Sequence, residues 1–123
     1  MPEKILIVDD SSTARMFVQR CLEIIGKFKD AEYYEAGDGK EALEILSREN
    51  ISYVFSDLTM PEMDGESLCR RMKASPKLNE IPIIVISSAG NPAKDAQLIE
   101  MGVKAIIKKP VSPAKIAEIT GGL

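Results

Sequence analysis

The stretch Ile51-Ser-Tyr-Val-Phe-Ser-Asp-Leu-Thr-Met-Pro-Glu-Met-Asp-Gly65 decides the fold, and Asp57 lies at its centre. A short run of β-branched and aromatic residues ends at this carboxylate, and turn-forming residues follow at once. This pattern predicts a buried strand that delivers one acid to its carboxyl end. In an open α/β sheet, ligands bind at the edge formed by the carboxyl ends of the strands. We therefore expect a functional site around Asp57.

Strands and helices alternate along the whole chain. Apolar runs, one of them more polar than the rest, predict five strands at 4–8, 31–36, 51–57, 81–86 and 103–108. Helical spacing predicts five helices between and after them, with caps at Ser11 or Ser12, Asn91 and Ser112 and stops at Gly26 and Gly102. Such alternation predicts a doubly wound α/β fold, in which a parallel sheet carries helices on both faces. The more polar run is expected near an edge of the sheet.

Length and composition restrict the function further. The 123 residues, 45% of them hydrophobic, suit one domain spanning 1–123. A net charge of −3 with scattered basic residues argues against nucleic-acid binding, and the first apolar run is too short for a signal peptide or a membrane span. We therefore expect a cytoplasmic protein with Cys21 and Cys69 as buried thiols. The chain contains no histidine, which excludes histidine-based nucleophile activation and imidazole metal ligation.

Charged residues close three of the predicted strands. Asp9 and Asp10 end the first, Asp57 ends the third and Lys109 ends the last. Neighbouring carboxylates repel each other by roughly 1 kcal/mol per pair at about 4 Å in water, and by about 4 kcal/mol at an effective dielectric of about 20. A divalent ion with oxygen ligands would offset this repulsion, and Mg²⁺ suits a few carboxylates beside a phosphate. Such a pocket is suited to phosphoryl transfer onto Asp57.

Five segments together carry a family resemblance: Val8-Asp-Asp-Ser11, Ser56-Asp-Leu-Thr-Met-Pro61, Met63-Asp-Gly65, Ile86-Ser-Ser-Ala89 and Lys109-Pro110. In their order and spacing the chain resembles the receiver domain of two-component response regulators, in particular the stand-alone CheY type. The resemblance implies a flavodoxin-like (βα)5 fold with strand order 2-1-3-4-5. It also implies a cis peptide at Lys109-Pro110 and a cytoplasmic phosphorelay protein, for which chemotaxis is one role.

The resemblance also implies the role of each site residue. Asp57 would be the phosphoacceptor, and Asp9, Asp10, Asp57 and the carbonyl of Thr59 would hold Mg²⁺. Ser87 would be the switch hydroxyl and Lys109 the phosphate-binding lysine. The partners would be a sensor histidine kinase and a downstream output protein or domain, with dimerisation left open. The chain would then be a switch rather than an enzyme, apart from its own phosphorylation and dephosphorylation.

One position departs from the family pattern. Many members carry Tyr or Phe where Ile106 stands, and rotation of that ring usually accompanies movement of the switch hydroxyl. Ile106 cannot make this movement, so either Ile106 and its neighbours repack more modestly or the output is read from another surface. Beside it, Lys108 is expected to be a solvated neighbour, and Asp64 a turn and cap residue rather than a second acceptor.

Other functions stay open at this point. A Mg²⁺-dependent phosphatase with an aspartyl nucleophile would also use a strand-end acid, but its motif has a second Asp where this chain has Thr59. A flavin-binding flavodoxin would have a hydroxyl-rich phosphate loop in place of Asp9-Asp10. A binding module that works without phosphorylation is the third alternative.

Overall fold

The computed structural model describes residues 2–58, 64–88 and 92–121. Its strands are β1 Lys4–Val8, β2 Glu32–Ala36, β3 Tyr53–Asp57, β4 Ile83–Ser87 and β5 Ala105–Lys108. Its helices are α1 Ser12–Ile24, α2 Gly39–Arg48, α3 Gly65–Lys73, α4 Pro92–Met101 and α5 Pro113–Thr120. The elements alternate as predicted, and the strands of 51–57, 81–86 and 103–108 begin two residues later than predicted.

All strand pairs of the sheet are parallel, and the strand order is β2-β1-β3-β4-β5. This order confirms the doubly wound, flavodoxin-like arrangement. The polar strand β2 lies at one edge, as predicted, and exposes Glu32 and Glu35. Because the chain winds from β1 outward to β2 and then back across β1 to β3, the carboxyl ends of β1 and β3 form the crevice where ligands bind in such sheets.

The sheet divides the hydrophobic core into two clusters. Side chains alternate along each strand, so one set faces α2, α3 and α4 and the other faces α1 and α5. In β4, for example, Val85 belongs to the first cluster and Ile84 and Ile86 belong to the second. Both faces of the central strands are therefore covered, which explains their continuous aliphatic sequences.

The helix caps follow the sequence closely. Ser11 and Ser112 accept hydrogen bonds from backbone N–H groups of the first turns of α1 and α5, so both predicted caps are confirmed. Gly102 has a φ of 114° directly after α4, which confirms it as the stop of that helix. The predicted cap Asn91 lies outside the described residues.

The predicted stop at Gly26 is confirmed in position, because Ile25 is the C-cap of α1 and Gly26 follows it, but Gly26 lacks the positive φ of a typical glycine stop. Helix α1 ends at Ile24, Ile25 is extended, and Gly26 begins a short 3-10 helix that extends to Phe28. Phe28 is fully buried and makes edge-on contacts with Tyr53 and Phe55. The short 3-10 helix after α1 thus ends at an aromatic side chain of the core.

Each helix in the described part of the chain is too short or too polar to cross a bilayer. Both cysteines are buried free thiols, as predicted. Burial raises the pKa of the Cys21 thiol, and burial raises that of Cys69 to about 12.

We predict that neither cysteine reacts with a thiol reagent at pH 8 until the fold opens, because the reactive thiolate is scarce and the sulfur is covered. Labelling in buffer, followed by mass spectrometry, should be about a hundredfold slower than labelling in concentrated urea. Labelling of Cys69 in buffer at the urea rate would contradict its placement in the core.

Candidate functional site

The predicted acidic residues come together at the carboxyl end of the sheet. Asp9 directly follows β1, and Asp57 ends the adjacent strand β3. One carboxylate oxygen from each of Asp9, Asp10 and Asp57 lies within 4.8 Å of the other two. Asp9 and Asp57 are each only 6% exposed, whereas Asp10 is exposed to solvent. Two buried charges and one solvated charge therefore share a small volume.

Backbone contacts fix the position of Asp9. Its Oδ1 accepts a hydrogen bond from the Ser11 backbone N–H at 2.9 Å, and its carbonyl accepts one from Arg15 Nη1 at 2.5 Å. Burial raises the pKa of the Asp9 carboxyl, and the nearby charge of Asp57 acts in the same direction against the Ser11 hydrogen bond. The site therefore stabilises positive charge beside Asp9.

Arg15 is a site neighbour that the sequence analysis missed. Besides the Asp9 carbonyl it contacts Glu35 of β2, with 2.9 Å between Arg15 Nε and Glu35 Oε1. The residue stands in the first turn of α1, and helical periodicity alone would have indicated that it points back towards the end of β1. It ties α1 to the crevice and brings a positive charge near the acids.

Lys109 supplies the positive charge that contacts the central acid. Its Nζ lies 3.0 Å from Asp57 Oδ1, and its backbone N–H donates to the Ser87 carbonyl at 2.8 Å. The Lys109-Pro110 peptide bond is cis, as the resemblance implied. Lys115 of α5 donates to two carbonyls flanking Lys109, that of Lys108 at 3.1 Å and that of Pro110 at 2.8 Å. The loop that carries Lys109 is thus attached to α5.

Ser87 ends β4 beside this group and is buried. It lies one residue beyond Ile86, which pairs with Asp57 in the register of β3 and β4. Its Oγ is 3.5 Å from Lys108 Nζ, and Lys108 also forms an ion pair with Asp95 of α4. The prediction that Lys108 is only a solvated neighbour is therefore wrong. The ion pair was missed because it depends on how α4 packs beside β5.

Ile106 is partly buried and packs against the core cluster under α2, α3 and α4. The sequence alone shows that this position carries an aliphatic residue instead of the usual aromatic one, and the structure adds that its side chain packs against the apolar core. Thr59, the remaining predicted ligand, lies outside the described residues.

Gly65 lies against the backbone of Asp57 and Leu58. Its N–H donates to the Leu58 carbonyl at 2.8 Å. A Cβ at this position would stand 2.3 Å from the Asp57 carbonyl oxygen and 2.9 Å from Leu58 Cα. Both are backbone atoms, so only glycine allows α3 to start this close to Asp57. Asp64 caps the same helix by accepting from the Ser67 N–H at 2.8 Å, which confirms its predicted cap role.

The donor set fits a hard divalent cation. Three carboxylates provide oxygen ligands, and one of them faces solvent, where water ligands have room. Soft or imidazole-preferring metals find no suitable ligand here because the chain has no histidine and both cysteines lie in the core. The acid cluster and the Lys109 cation together form a pocket that can neutralise a transferred phosphoryl group.

A family model for the response regulator receiver domain matches residues 5–120, so the chain belongs to this family. Among its relatives is the two-component response regulator ORR7 of Oryza sativa subsp. indica, 38% identical over 117 residues. That match covers 94% of this chain and 53% of ORR7, so the chain spans about half of that relative. The chemotaxis protein CheY homolog of Campylobacter jejuni is 34% identical, with 94% of this chain and 87% of the relative covered.

Solved structures agree with this family. The signal receiver domain of a signal transduction histidine kinase from Syntrophus aciditrophicus is 31% identical, with a TM-score of 0.83 over 98% of this chain and 92% of that one. The chemotaxis protein CheY4 of Vibrio cholerae superposes with a TM-score of 0.87 over 99% and 98% of the two chains, at 24% identity, and supports the fold. The chain is thus a receiver domain, a class of signalling domain.

We predict that Gly65→Ala destabilises the protein by about 1–3 kcal/mol, because the new methyl group must displace the backbone at Asp57. Gly26→Ala is the matched control, since a Cβ there meets nothing within 4 Å and should change stability by about 0.5 kcal/mol or less. Urea unfolding of both variants measures the difference. Equal stability of the two variants would contradict the close approach of α3 to Asp57.

Proposed function

We propose that residues 1–123 form one receiver domain that accepts a phosphoryl group on Asp57 and thereby switches its protein contacts. The observation that carries this proposal is the placement of Lys109 Nζ 3.0 Å from Asp57 Oδ1, inside a cluster of three carboxylates. The arrangement offers one nucleophilic oxygen and one permanent cation at the same point of the sheet. Phosphoryl transfer depends mainly on such positioning and charge neutralisation.

In the proposed reaction an Asp57 carboxylate oxygen attacks phosphorus in line with the leaving group. A P–O bond to Asp57 forms as the bond from phosphorus to the donor breaks, which gives an acyl phosphate and the released donor. For a phosphohistidine donor the leaving group is the imidazole, which retains the bonding electron pair and takes a proton. Lys109 holds the phosphoryl oxygens during the transfer and the Ser87 hydroxyl donates a hydrogen bond to one of them afterwards.

The metal of this site is proposed to be Mg²⁺, held by the carboxylates of Asp9, Asp10 and Asp57 and the carbonyl of Thr59. Bound there, it would neutralise negative charge on the phosphoryl oxygens. The protein's own contribution is to hold the carboxylates close together at the cost of mutual repulsion. Arg15 supports this arrangement through its contact with the Asp9 carbonyl.

The proposed partners are a sensor histidine kinase as donor and an output protein or domain as receiver of the signal. The chain itself has no histidine, so a phosphohistidine must come from another protein. An apolar depression of about 250 Å³ adjoins the acids and is a proposed contact surface for a donor protein. The depression is lined by Asp9, Ala14, Phe17, Val18, Ile86, Lys109, Pro110 and Val111. Its apolar wall favours a protein surface over a small polar donor.

We predict that the wild-type protein gains the mass of one phosphoryl group on incubation with a small acyl phosphate and Mg²⁺. Asp57→Asn should gain none, because the amide keeps the volume and removes the nucleophile. Asp64→Asn is the matched control and should be labelled like the wild type, because asparagine can still cap α3. Intact-mass spectrometry measures all three.

Three results would overturn this proposal. Labelling of Asp57→Asn would place the acceptor elsewhere, and steady turnover of an external phosphomonoester would favour a phosphatase. If phosphorylated histidine kinase and small donors both leave the wild type unlabelled, the domain is a binding module that works without phosphorylation.

We also predict that Mg²⁺ stabilises the protein by relieving repulsion among the three carboxylates. At a concentration tenfold above its dissociation constant it should contribute about 1.4 kcal/mol, which raises the Tm by about 5 °C. Differential scanning fluorimetry measures the shift, and Asp9→Asn should reduce it by removing one ligand. A Tm that Mg²⁺ leaves unchanged would show that the cluster does not hold the ion.

A further inference from the structure

Three residues lie on the same face of the sheet at its carboxyl end. Val85 and Ile106 both belong to the cluster under α2, α3 and α4, and side chains two residues further along a strand return to that face. Ser87 and Lys108 each stand two residues further and pair in the register of β4 and β5. The switch hydroxyl, the aliphatic Ile106 and Lys108 therefore all face α4.

Lys108 connects the end of the sheet to this helix. Its Nζ lies 3.5 Å from Ser87 Oγ, at the outer limit of a hydrogen bond, and forms an ion pair with Asp95 in the first turn of α4. The side chains of Lys108 and Asp95 are 37% and 24% exposed, so water screens the pair only in part. Ile106, which packs in the core, offers no polar atom for such a link.

Helix α4 is weakly anchored apart from its first turn. Of its residues, all of which the structure describes, only Leu98 is buried. In the first turn Lys94 pairs with Glu66 of α3, and Asp95 pairs with Lys108 of β5. Ion pairs with α3 and with β5 thus hold the start of α4, and the pair with β5 leads to Ser87.

We propose that Lys108 is a positioning residue that couples the phosphoryl site to α4 through Ser87 and Asp95, in place of an aromatic residue at position 106. This inference rests on the proposed function. Phosphorylation adds about −1.5 to −2 charges at Asp57. This charge draws the Ser87 hydroxyl and the Lys108 ammonium towards the site, and the ion pair with Asp95 weakens. The first turn of α4 then loses its contact with β5 and opens more often.

The first experiment tests the link without phosphorylation, by amide hydrogen exchange of α4. Lys108→Met keeps an unbranched side chain of similar bulk and removes the charged ammonium group, and should raise exchange in α4 by about two- to fivefold. Ser87→Ala should change α4 exchange in the wild-type background and leave it unchanged in the Lys108→Met background, because its effect passes through Lys108.

Lys94→Met is the matched control for this experiment. It also removes one lysine contact from the first turn of α4, but on the side of α3, so it should raise exchange without altering the effect of Ser87→Ala. If Ser87→Ala has the same effect with and without Lys108, or has no effect on α4 in either background, the proposed link is overturned.

The second experiment adds the phosphoryl group. On phosphorylation by a small acyl phosphate, α4 exchange should rise about two- to fivefold in the wild type and in Lys94→Met. It should stay constant in Lys108→Met, although intact mass shows full phosphorylation of that variant. A wild-type response in Lys108→Met would overturn the link. If the wild type takes no phosphoryl group, the proposed function fails, while the first experiment still decides whether Lys108 connects Ser87 to α4.

Discussion

Repulsion among three carboxylates is the constraint on which the rest of this structure depends. The carboxylate oxygens of Asp9, Asp10 and Asp57 lie within 4.8 Å of one another, and Asp9 and Asp57 are buried. Such an arrangement of like charges lowers the stability of the folded protein. The fold maintains them there with backbone hydrogen bonds to Asp9, a lysine beside Asp57 and a glycine that lets α3 start directly behind Asp57. The two buried acids stand at the ends of rigid, fully covered strands, so the charge cluster cannot relax by moving apart.

The cations around this cluster have different tasks. Lys109 contacts Asp57, and Arg15 contacts the Asp9 backbone and Glu35, so both offset negative charge directly. Lys115 acts one step further away, because it holds the carbonyls on either side of Lys109 and so attaches the loop to α5. The side chain of Lys108 lies on the face of the sheet opposite α5 and forms an ion pair with Asp95 of α4. Helices α1, α4 and α5 are thus each connected to the site by a different basic side chain.

Much of this could be predicted from the sequence because it depends on local patterns. The alternation of apolar runs determined the α/β class, and Ser11, Ser112 and Gly102 marked helix ends by their own backbone chemistry. The strand order, by contrast, came from family resemblance, since apolar runs do not say which strands are neighbours. The contact between Lys108 and Asp95 and the approach of Gly65 to Asp57 were missed because both depend on how separate elements pack. A signal for the first did exist: Lys108 stands two residues after Ile106 and must share its face of the sheet.

The division of the core by the sheet has a consequence for engineering this domain. Side chains on opposite faces share few neighbours, so substitutions under α1 and α5 should combine additively with substitutions under α2, α3 and α4. A designer could therefore alter the half around Phe17 and Val18, which is the proposed donor side, and the half around Leu98, which is the proposed output side, as two independent libraries. The central strands of the sheet pack against both halves, and the acids lie at the carboxyl ends of these strands. Under the proposed function, donor specificity and the strength of the output response would then be separable traits of one small chain.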